Sequence, residues 1–185
     1  LLTKSDSVML GYWKNDEATK EIFTDDGWIK TGDLARIENK HIYITGRIKE
    51  ILVLSNGEKV PPNDMEMAIS LDPTFEQVLV LGEGKPYLSA LLVLSNDHLK
   101  CLCEKLKIDP EDSGTDKNSA LLSHLKSAIG ELLHDFPGYA QVKKVAICSD
   151  PWEVENGLMT PTLKLKRAKI VEKYQSKVED LYEGH

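Results

Sequence analysis

The chain has 185 residues, of which 41% are hydrophobic and 29% are charged, and its formal net charge is −7 at pH 7. This length and composition predict a globular protein of one or two small domains. No apolar run approaches the roughly 18 to 20 residues of a membrane span, and the first residues lack a signal-peptide pattern, so we expect a cytoplasmic protein. The negative charge argues against nonspecific nucleic acid binding, which depends on many Lys and Arg contacts with phosphate.

The cysteines and the first residue complete this general description. Cys101, Cys103 and Cys148 have no metal-ligand spacing, and we predict reduced core or surface thiols and no metal site. Because position 1 is Leu rather than Met, we expect the chain to be a piece of a longer protein.

Turn-forming residues divide the first part of the chain into short segments. Charged and helix-compatible residues predict one short helix over residues 16–23, ended by the Asp-Asp-Gly turn at 25–27. Apolar residues on both sides of a Glu-Asn-Lys turn predict a hairpin over residues 34–45. The Asn-Gly pair at 56–57 accommodates positive φ and predicts a second hairpin after the apolar run at 51–54.

The remaining chain alternates helical and strand patterns without an internal repeat. Asn63 is the predicted N-cap of a helix that ends by Asp72. A Gly-rich turn at 82–86 predicts antiparallel pairing of the strands on either side of it. We therefore predict an α+β fold. The further predicted elements are strands at 77–81, 88–94 and 142–148 and helices at 97–107, 119–133 and 164–182.

Three short segments contain candidate functional residues, and the first is Thr31-Gly32-Asp33. A carboxylate on a tight turn is suited to accept two hydrogen bonds from a vicinal diol, such as the hydroxyls of a ribose. The alternative is that Asp33 only caps the turn, which is the more common role of an isolated Thr-Gly-Asp.

The other two segments contribute cations. Arg47 follows Gly46 at the end of a predicted strand, where a fixed guanidinium can bind a phosphate or a ribose oxygen. Lys164 lies on a predicted loop just ahead of a helix, where its ammonium could reach a carboxylate and a phosphate together. For both residues the alternative is an ordinary solvated surface cation.

The order of these segments resembles the adenylate-forming superfamily of acyl-CoA synthetases, luciferases and peptide-synthetase adenylation domains. The resemblance covers the chain from about residue 8 to residue 167. The amino-acid sequence of the chain at 48–62 and at 160–167 looks most like that of long-chain fatty acid–CoA ligases. The matching segments are Gly11-Tyr12-Trp13, Asp26-Gly27-Trp28, Thr31-Gly32-Asp33-Leu34, Gly46-Arg47 and the late lysine.

The resemblance implies a role for each matched residue. Asp33 matches the family aspartate that holds the ribose hydroxyls of ATP or the acyl-adenylate, and Arg47 matches an arginine that contacts the same nucleotide. Lys49 falls at the hinge about which the small domain turns. Gly57 matches the position where the pantetheine arm of CoA passes close to the backbone, an approach that only glycine permits. Lys164 aligns with the lysine that contacts the carboxylate and the α-phosphate during adenylation.

The late segment departs from the family pattern at one position. Leu163 stands where glycine is frequent in the family. The resemblance therefore does not define how closely the backbone approaches a substrate at this point. Lys166 is the alternative to Lys164 if the register of the segment is shifted.

The implied reaction has two steps and uses ATP, Mg²⁺ and CoA. The fatty acid carboxylate attacks the α-phosphate of ATP to give acyl-AMP and pyrophosphate; the small domain then turns, and the CoA thiol attacks the acyl carbon. Residues 1–46 would be the end of the large, β-rich nucleotide-binding domain and residues 47–185 the small, mobile C-terminal α+β domain. The family's phosphate loop, adenine pocket and acyl tunnel would belong to a missing N-terminal domain that also holds most of the Mg²⁺ ligands, so we expect the chain alone to be inactive.

The expected partners are the fatty acid, ATP, CoA and the missing domain of the same chain. Apolar surface that this domain would cover leads us to expect association, including a homo-oligomer, in isolation. Lipid substrates are compatible with peripheral membrane association, although the sequence contains no anchor.

Two alternative functions remain open. A carrier-protein-loading ligase or a peptide-synthetase-type adenylation domain shares the aspartate and the lysine but delivers the acyl group to a protein-bound pantetheine; a requirement for free CoA separates these. A non-catalytic module that retains the fold is the second alternative.

Overall fold

A computed structural model describes residues 1–112 and 114–184; positions 113 and 185, inside the predicted second domain, lie outside the described residues. The chain divides into two compact units, Leu1–Ile51 and Leu52–His185. The predicted boundary lies between residues 46 and 47, whereas the 3-10 turn at Ile48–Glu50 belongs to the first unit. Short paired strands combine with helices in both units, and the predicted α+β fold class is confirmed.

The first unit contains one short helix and two pairs of strands. The helix is capped by Asn15, whose side-chain oxygen accepts a hydrogen bond from the Ala18 N–H at 3.0 Å, and it ends at Phe23, where the backbone becomes extended. The helix predicted over residues 16–23 is thereby confirmed. The elements are β1 (Leu2–Thr3), α1 (Asp16–Ile22), β2 (Ile29–Lys30), β3 (Asp33–Glu38), β4 (His41–Arg47) and the turn at Ile48–Glu50.

β3 and β4 form the first predicted hairpin. Their two-residue turn consists of Asn39 and Lys40, whose φ angles are 48° and 66°. Positive φ at both positions defines a type I′ turn, which matches the right-handed twist of the strands. The pairing runs from Glu38 opposite His41 to Asp33 opposite Arg47, with a shift of one residue between Leu34 and Ala35. The turn and this irregularity together place Asp33 opposite Arg47.

The second unit is built on a three-stranded sheet. None of the helices in the described part of the chain is long and apolar enough to span a bilayer. The elements are β5 (Leu52–Val53), β6 (Lys59–Val60), α2 (Pro62–Ile69), β7 (Phe75–Leu81), β8 (Leu88–Leu94), α3 (Asn96–Leu106), α4 (Ser119–Leu132), β9 (Val142–Ile147), α5 (Arg167–Lys173) and α6 (Gln175–Tyr182), with 3-10 turns at Thr115–Lys117 and Gly138–Ala140.

The sheet has the order β7-β8-β9. β7 and β8 are antiparallel, as predicted, whereas β9 is parallel to β8. A parallel connection requires a crossover, and α3 and α4 supply it. β5 and β6 form the second predicted hairpin.

The central strand β8 connects two hydrophobic clusters, and all of its residues are buried. Side chains of successive strand residues point to opposite faces. Leu92 therefore packs in a cluster with Met65 and Leu125 of α2 and α4, while Leu91 packs in another cluster with Ile170 of α5. The sheet lies between two helical layers, and α5 and α6 belong to the second.

Two helix predictions are wrong. α2 begins at Pro62 with Pro61 as its N-cap, rather than after Asn63, because the fixed φ of proline suits the first helical position. The predicted helix over 164–182 is two helices, which start at Arg167 and meet at Tyr174. The ψ of Tyr174 is 27°, far from the helical value of about −42°, and its side chain is buried in the core.

Candidate functional site

Two of the predicted site residues, Asp33 and Arg47, lie side by side in the first unit. They are directly opposite each other in the β3–β4 pairing, and the Nε atom of Arg47 is 3.1 Å from Oδ1 of Asp33. The Arg47 side chain is 60% exposed and that of Asp33 is 23% exposed. The hairpin therefore joins two motifs that are well separated in the sequence, and it presents a carboxylate and a guanidinium together.

The Thr-Gly-Asp turn fixes the position of Asp33. Thr31 Oγ1 accepts a hydrogen bond from the Asp33 N–H at 3.1 Å. Gly32 has a φ of 77°, a left-handed conformation that glycine adopts without steric cost. The Gly32 carbonyl accepts a hydrogen bond from the Ile48 N–H at 2.8 Å, so the same turn also holds the start of the 48–50 segment.

A cavity of about 590 Å³ adjoins this turn, within the range of small-molecule sites. Its walls include three cations and two carboxylates, which could bind phosphate and hydroxyl groups respectively. Sequence reasoning assigned roles to Arg47 and Lys49 but to no other lining residue, because nothing in the pattern of α1 indicates that it forms a wall. The lining residues are Tyr12, Ala18, Glu21, Ile22, Lys30, Thr31, Gly32, Arg47, Lys49 and Glu50.

Gly57 lies in the second unit, at the turn of the β5–β6 hairpin. Its φ is 87°, and its N–H donates to the Leu54 carbonyl at 2.9 Å. A Cβ added at this position would meet no atom within 4 Å. The left-handed backbone by itself therefore accounts for glycine here, and the open space leaves the backbone accessible to a ligand.

Lys164 lies on a tight hairpin that ends just before α5. The Thr160 N–H donates to the Lys164 carbonyl and the Leu163 N–H donates to the Thr160 carbonyl, both at 2.8 Å. Leu163 has a φ of 58°, so Pro161, Thr162 and Leu163 form a three-residue loop that ends in a left-handed residue. The Lys164 side chain is exposed.

Lys166 occupies a different place from Lys164. Its N–H donates to the Leu158 carbonyl at 2.8 Å, it precedes α5 as the N-cap residue, and it is half-buried. The two candidate lysines are thus distinct in position, one at the loop end of the hairpin and one at its base.

Two contacts that sequence reasoning missed hold this hairpin in place. Arg167, the first residue of α5, donates to Glu66 Oε1 at 2.7 Å and to the Val80 carbonyl. Gln77 accepts from the Trp152 N–H at 2.6 Å and donates to the Trp152 carbonyl at 2.8 Å. The partners are far apart in sequence, and no local pattern indicates that they meet.

The cysteines do not contribute to these sites. Cys101 is exposed, Cys103 and Cys148 are buried, and all three are free thiols. Burial raises the pKa of Cys148 to about 12. Within the described ranges, no group of three or more His, Cys, Asp or Glu side chains is placed to hold a metal ion.

The structure thus brings Asp33 and Arg47 together in the first unit, and Arg47 and Lys49 line the same cavity. Gly57 and Lys164 lie on two separate hairpins of the second unit. The predicted roles of these five residues remain predictions.

Comparison with known proteins defines the family. The AMP-binding enzyme C-terminal domain matches residues 49–185. The chain is 32% identical over 98% of its length to the long-chain-fatty-acid–CoA ligase FadD15 of Mycobacterium tuberculosis. It is 33% identical over 95% of its length to the chloroplastic long-chain-fatty-acid–[acyl-carrier-protein] ligase AEE15 of Arabidopsis thaliana. It spans 31% and 24% of these two proteins respectively.

Solved structures agree with this result. The A domain of the carboxylic acid reductase from Segniliparus rugosus, determined with AMP and a co-purified carboxylic acid, superposes with a TM-score of 0.81 at 27% identity. The alignment covers 97% of this chain and 27% of that chain. The chain belongs to the AMP-binding enzyme C-terminal domain family of adenylate-forming enzymes.

Proposed function

We propose that the chain is part of a long-chain fatty acid–CoA ligase, which converts ATP, a fatty acid and CoA into acyl-CoA, AMP and pyrophosphate. The observation that supports this proposal most directly is the Asp33–Arg47 pair, because two separate motifs meet there beside a cavity of about 590 Å³. A carboxylate accepts hydrogen bonds from a ribose diol, and a guanidinium binds phosphate oxygens. The pair offers both functions at one place.

In the first half-reaction, a carboxylate oxygen of the fatty acid bonds to the α-phosphorus of ATP and pyrophosphate leaves. Lys164 supplies positive charge to the fatty acid carboxylate and the α-phosphate as negative charge develops there. Its exposure on a tight hairpin supports this role, since a fixed backbone limits where the ammonium can reach.

In the second half-reaction, the sulfur of CoA bonds to the acyl carbon, AMP leaves, and the thiol proton passes to solvent. Gly57 offers an accessible backbone to the pantetheine arm. Lys49, in the 3-10 turn at Ile48–Glu50, is the proposed hinge between the two half-reactions.

The test uses a full-length ligase that includes residues 1–185, because the chain spans only 24% and 31% of the two ligases compared. Pyrophosphate release from fatty acid, ATP and Mg²⁺ is compared with thioester formation from supplied acyl-AMP and CoA. We expect Lys164→Ala to lower the first rate by about 100-fold or more and to leave the second nearly unchanged.

Lys166→Ala is the matched control, since it removes an equal charge two positions away. If this variant loses adenylation and Lys164→Ala does not, the roles of the two lysines are reversed. If neither variant affects pyrophosphate release, the proposed mechanism is wrong for this segment.

A carrier-protein acceptor is the second candidate, and the 33% identity to AEE15, an acyl-carrier-protein ligase, favours its inclusion. The wild-type full-length protein is given acyl-AMP with either CoA or a pantetheine-loaded carrier protein. If the thioester forms with the carrier protein and not with CoA, the carrier protein becomes the proposed acceptor.

A further inference from the structure

A second concave surface lies in the second unit, apart from the residues assigned above. It is a groove of about 440 Å³ between the first half of α4, strand β9, helix α6 and the 3-10 turn at Thr115–Lys117. Small-molecule sites have volumes of this order. The proposed roles of Lys164 and Gly57 do not involve this groove.

The floor of the groove is apolar. It consists of side chains from three of the elements that form the walls, namely Leu122 of α4, Val145 and Ala146 of β9, and Leu181 of α6. Leu122 belongs to the cluster on one face of the sheet, and Leu181 to the cluster on the other face. The groove therefore follows the edge of the sheet, where the two hydrophobic layers meet the solvent.

β9 is one of the two edge strands of the described sheet. The Cys148 N–H, just after this strand, donates to the Leu92 carbonyl of β8 at 2.7 Å. Backbone groups of alternate strand residues point to the same side, so Lys144 and Ala146 also direct their N–H and C=O groups toward β8. Val145, which lies between them in the regular part of the strand, directs its groups away from β8 and toward the groove, which adds a hydrogen-bond donor to the wall.

The rim of the groove is strongly basic. Five lysines and two aspartates line it, a local balance of +3 in a chain whose formal net charge is −7. Lys177 pairs with Asp116, and the Lys144 ammonium is 5.8 Å from the centroid of the Tyr87 ring. The other three lysines, Lys117, Lys126 and Lys143, are exposed. Like charges gathered around one concavity favour an anionic occupant.

We propose that this groove binds a single amphipathic anion, an apolar chain that ends in a carboxylate or a phosphate. The apolar floor receives the chain, and the lysine rim with the outward N–H group of Val145 receives the anionic group. An ammonium is a compact point charge that accepts either anion. The proposal does not depend on the function proposed above.

Two other occupants fit the groove less well. No aromatic side chain is among the described residues that line it, so it offers no ring on which a nucleotide base could stack. Lys143 and Lys144 stand on the edge strand itself, and lysines at a sheet edge oppose the addition of an extended peptide strand.

The test is calorimetric titration of the chain with decanoate and decyl phosphate as monomers. Acetate and inorganic phosphate test the anionic group alone, and decyltrimethylammonium tests the apolar chain alone. We expect both decyl anions to bind and the other three probes to bind at least about tenfold more weakly. Binding should weaken as salt is raised, because exposed lysines are screened.

Two sets of variants locate the site. Lys126→Ala/Lys143→Ala should weaken decanoate binding by about tenfold. Ser123→Glu should also weaken decanoate binding, because it adds a negative charge to the rim while all of the rim lysines remain. Lys100→Ala/Lys169→Ala removes two exposed lysines elsewhere and should change binding by less than about twofold. Circular dichroism verifies that each variant is folded.

Four results would overturn the proposal. Equal binding of the short anions would indicate a simple anion site, and equal binding of the cationic amphiphile would indicate apolar adsorption. Binding to anionic phospholipid vesicles without binding of monomers would indicate a membrane surface. An equal loss of decanoate affinity in the groove variants and the control variant would indicate a general effect of net charge.

Discussion

Arg167, the first residue of α5, and Glu66 of α2 form a half-buried ion pair that closes the outer edge of β7. Nη1 of Arg167 is 2.7 Å from Oε1 of Glu66, which also accepts from the Val80 N–H at 2.7 Å, while Nη2 of Arg167 donates to the Val80 carbonyl. The pair thus satisfies both backbone groups of one edge residue. Because α5 follows the Lys164 hairpin directly, the same contacts fix the base of that hairpin.

Loss of this pair should destabilise the second unit. In Arg167→Ala, the carboxylate of Glu66, which is 14% exposed, loses its ion pair with Arg167. We expect the free energy of unfolding to fall by about 2 to 3 kcal/mol, measured by urea denaturation. Lys173→Ala is the control, since its pair with Asp150 is more exposed and should contribute little to stability. Similar losses in the two variants would contradict a specific role for Arg167.

Gln77 should hold the segment that leads into the Lys164 hairpin. Gln77→Ala removes the partners of both backbone groups of Trp152, a residue that is 1% exposed. Unpaired buried groups are costly, so we expect a loss of about 2 to 3 kcal/mol in urea denaturation and faster proteolysis within residues 150–166. Gln175→Ala, which breaks an exposed contact with Glu179, should change neither measurement. Unchanged proteolysis in Gln77→Ala would show that the segment is held by other contacts.

Leu163 should be replaceable by glycine with a gain in stability. Its φ of 58° is costly for a residue with a Cβ, and its side chain is 70% exposed, so little packing is lost. We expect Leu163→Gly to raise the free energy of unfolding by about 0.5 to 1 kcal/mol. This is the backbone strain that glycine relieves, minus the stability lost because glycine gives the unfolded chain more conformational freedom. Leu71→Gly is the control, because Leu71 is 79% exposed without a left-handed φ and should lose stability. A loss of stability in Leu163→Gly as well would mean that packing of the leucine side chain stabilises the protein.

The buried thiol of Cys148 predicts how stability depends on alkaline pH. Burial raises its pKa from 9.0 to about 12 in the folded protein. As the pH rises from 9 toward 12, the unfolded chain loses this proton before the folded chain does, so the free energy of unfolding falls. We expect the urea midpoint to fall less between pH 8 and pH 10 in Cys148→Ala than in the wild type. Cys101→Ala, at an exposed thiol, should leave the fall unchanged, and an equal fall in all three proteins would contradict the prediction.

Local signals in the sequence were sufficient for the elements whose structure depends on nearby residues. The hairpin predicted over residues 34–45 formed around Asn39 and Lys40 because its turn and its alternating apolar residues lie within one short segment. The β7–β8 pairing followed from the turn between the two strands for the same reason. The motif order was also sufficient to identify the family, since it does not depend on knowing how the segments pack.

Contacts between distant residues were decided only by the tertiary structure. Three such contacts join residues whose local sequence does not indicate the partner. They are the parallel pairing of β9 with β8, the ion pair between Glu66 and Arg167, and the hydrogen bonds between Gln77 and Trp152. The bend at Tyr174, where α5 meets α6, lies at a residue buried in the hydrophobic core. Sequence by itself determined which chemical groups this protein has; packing determined which of them meet, because the free energy of burial is shared among residues far apart in the chain.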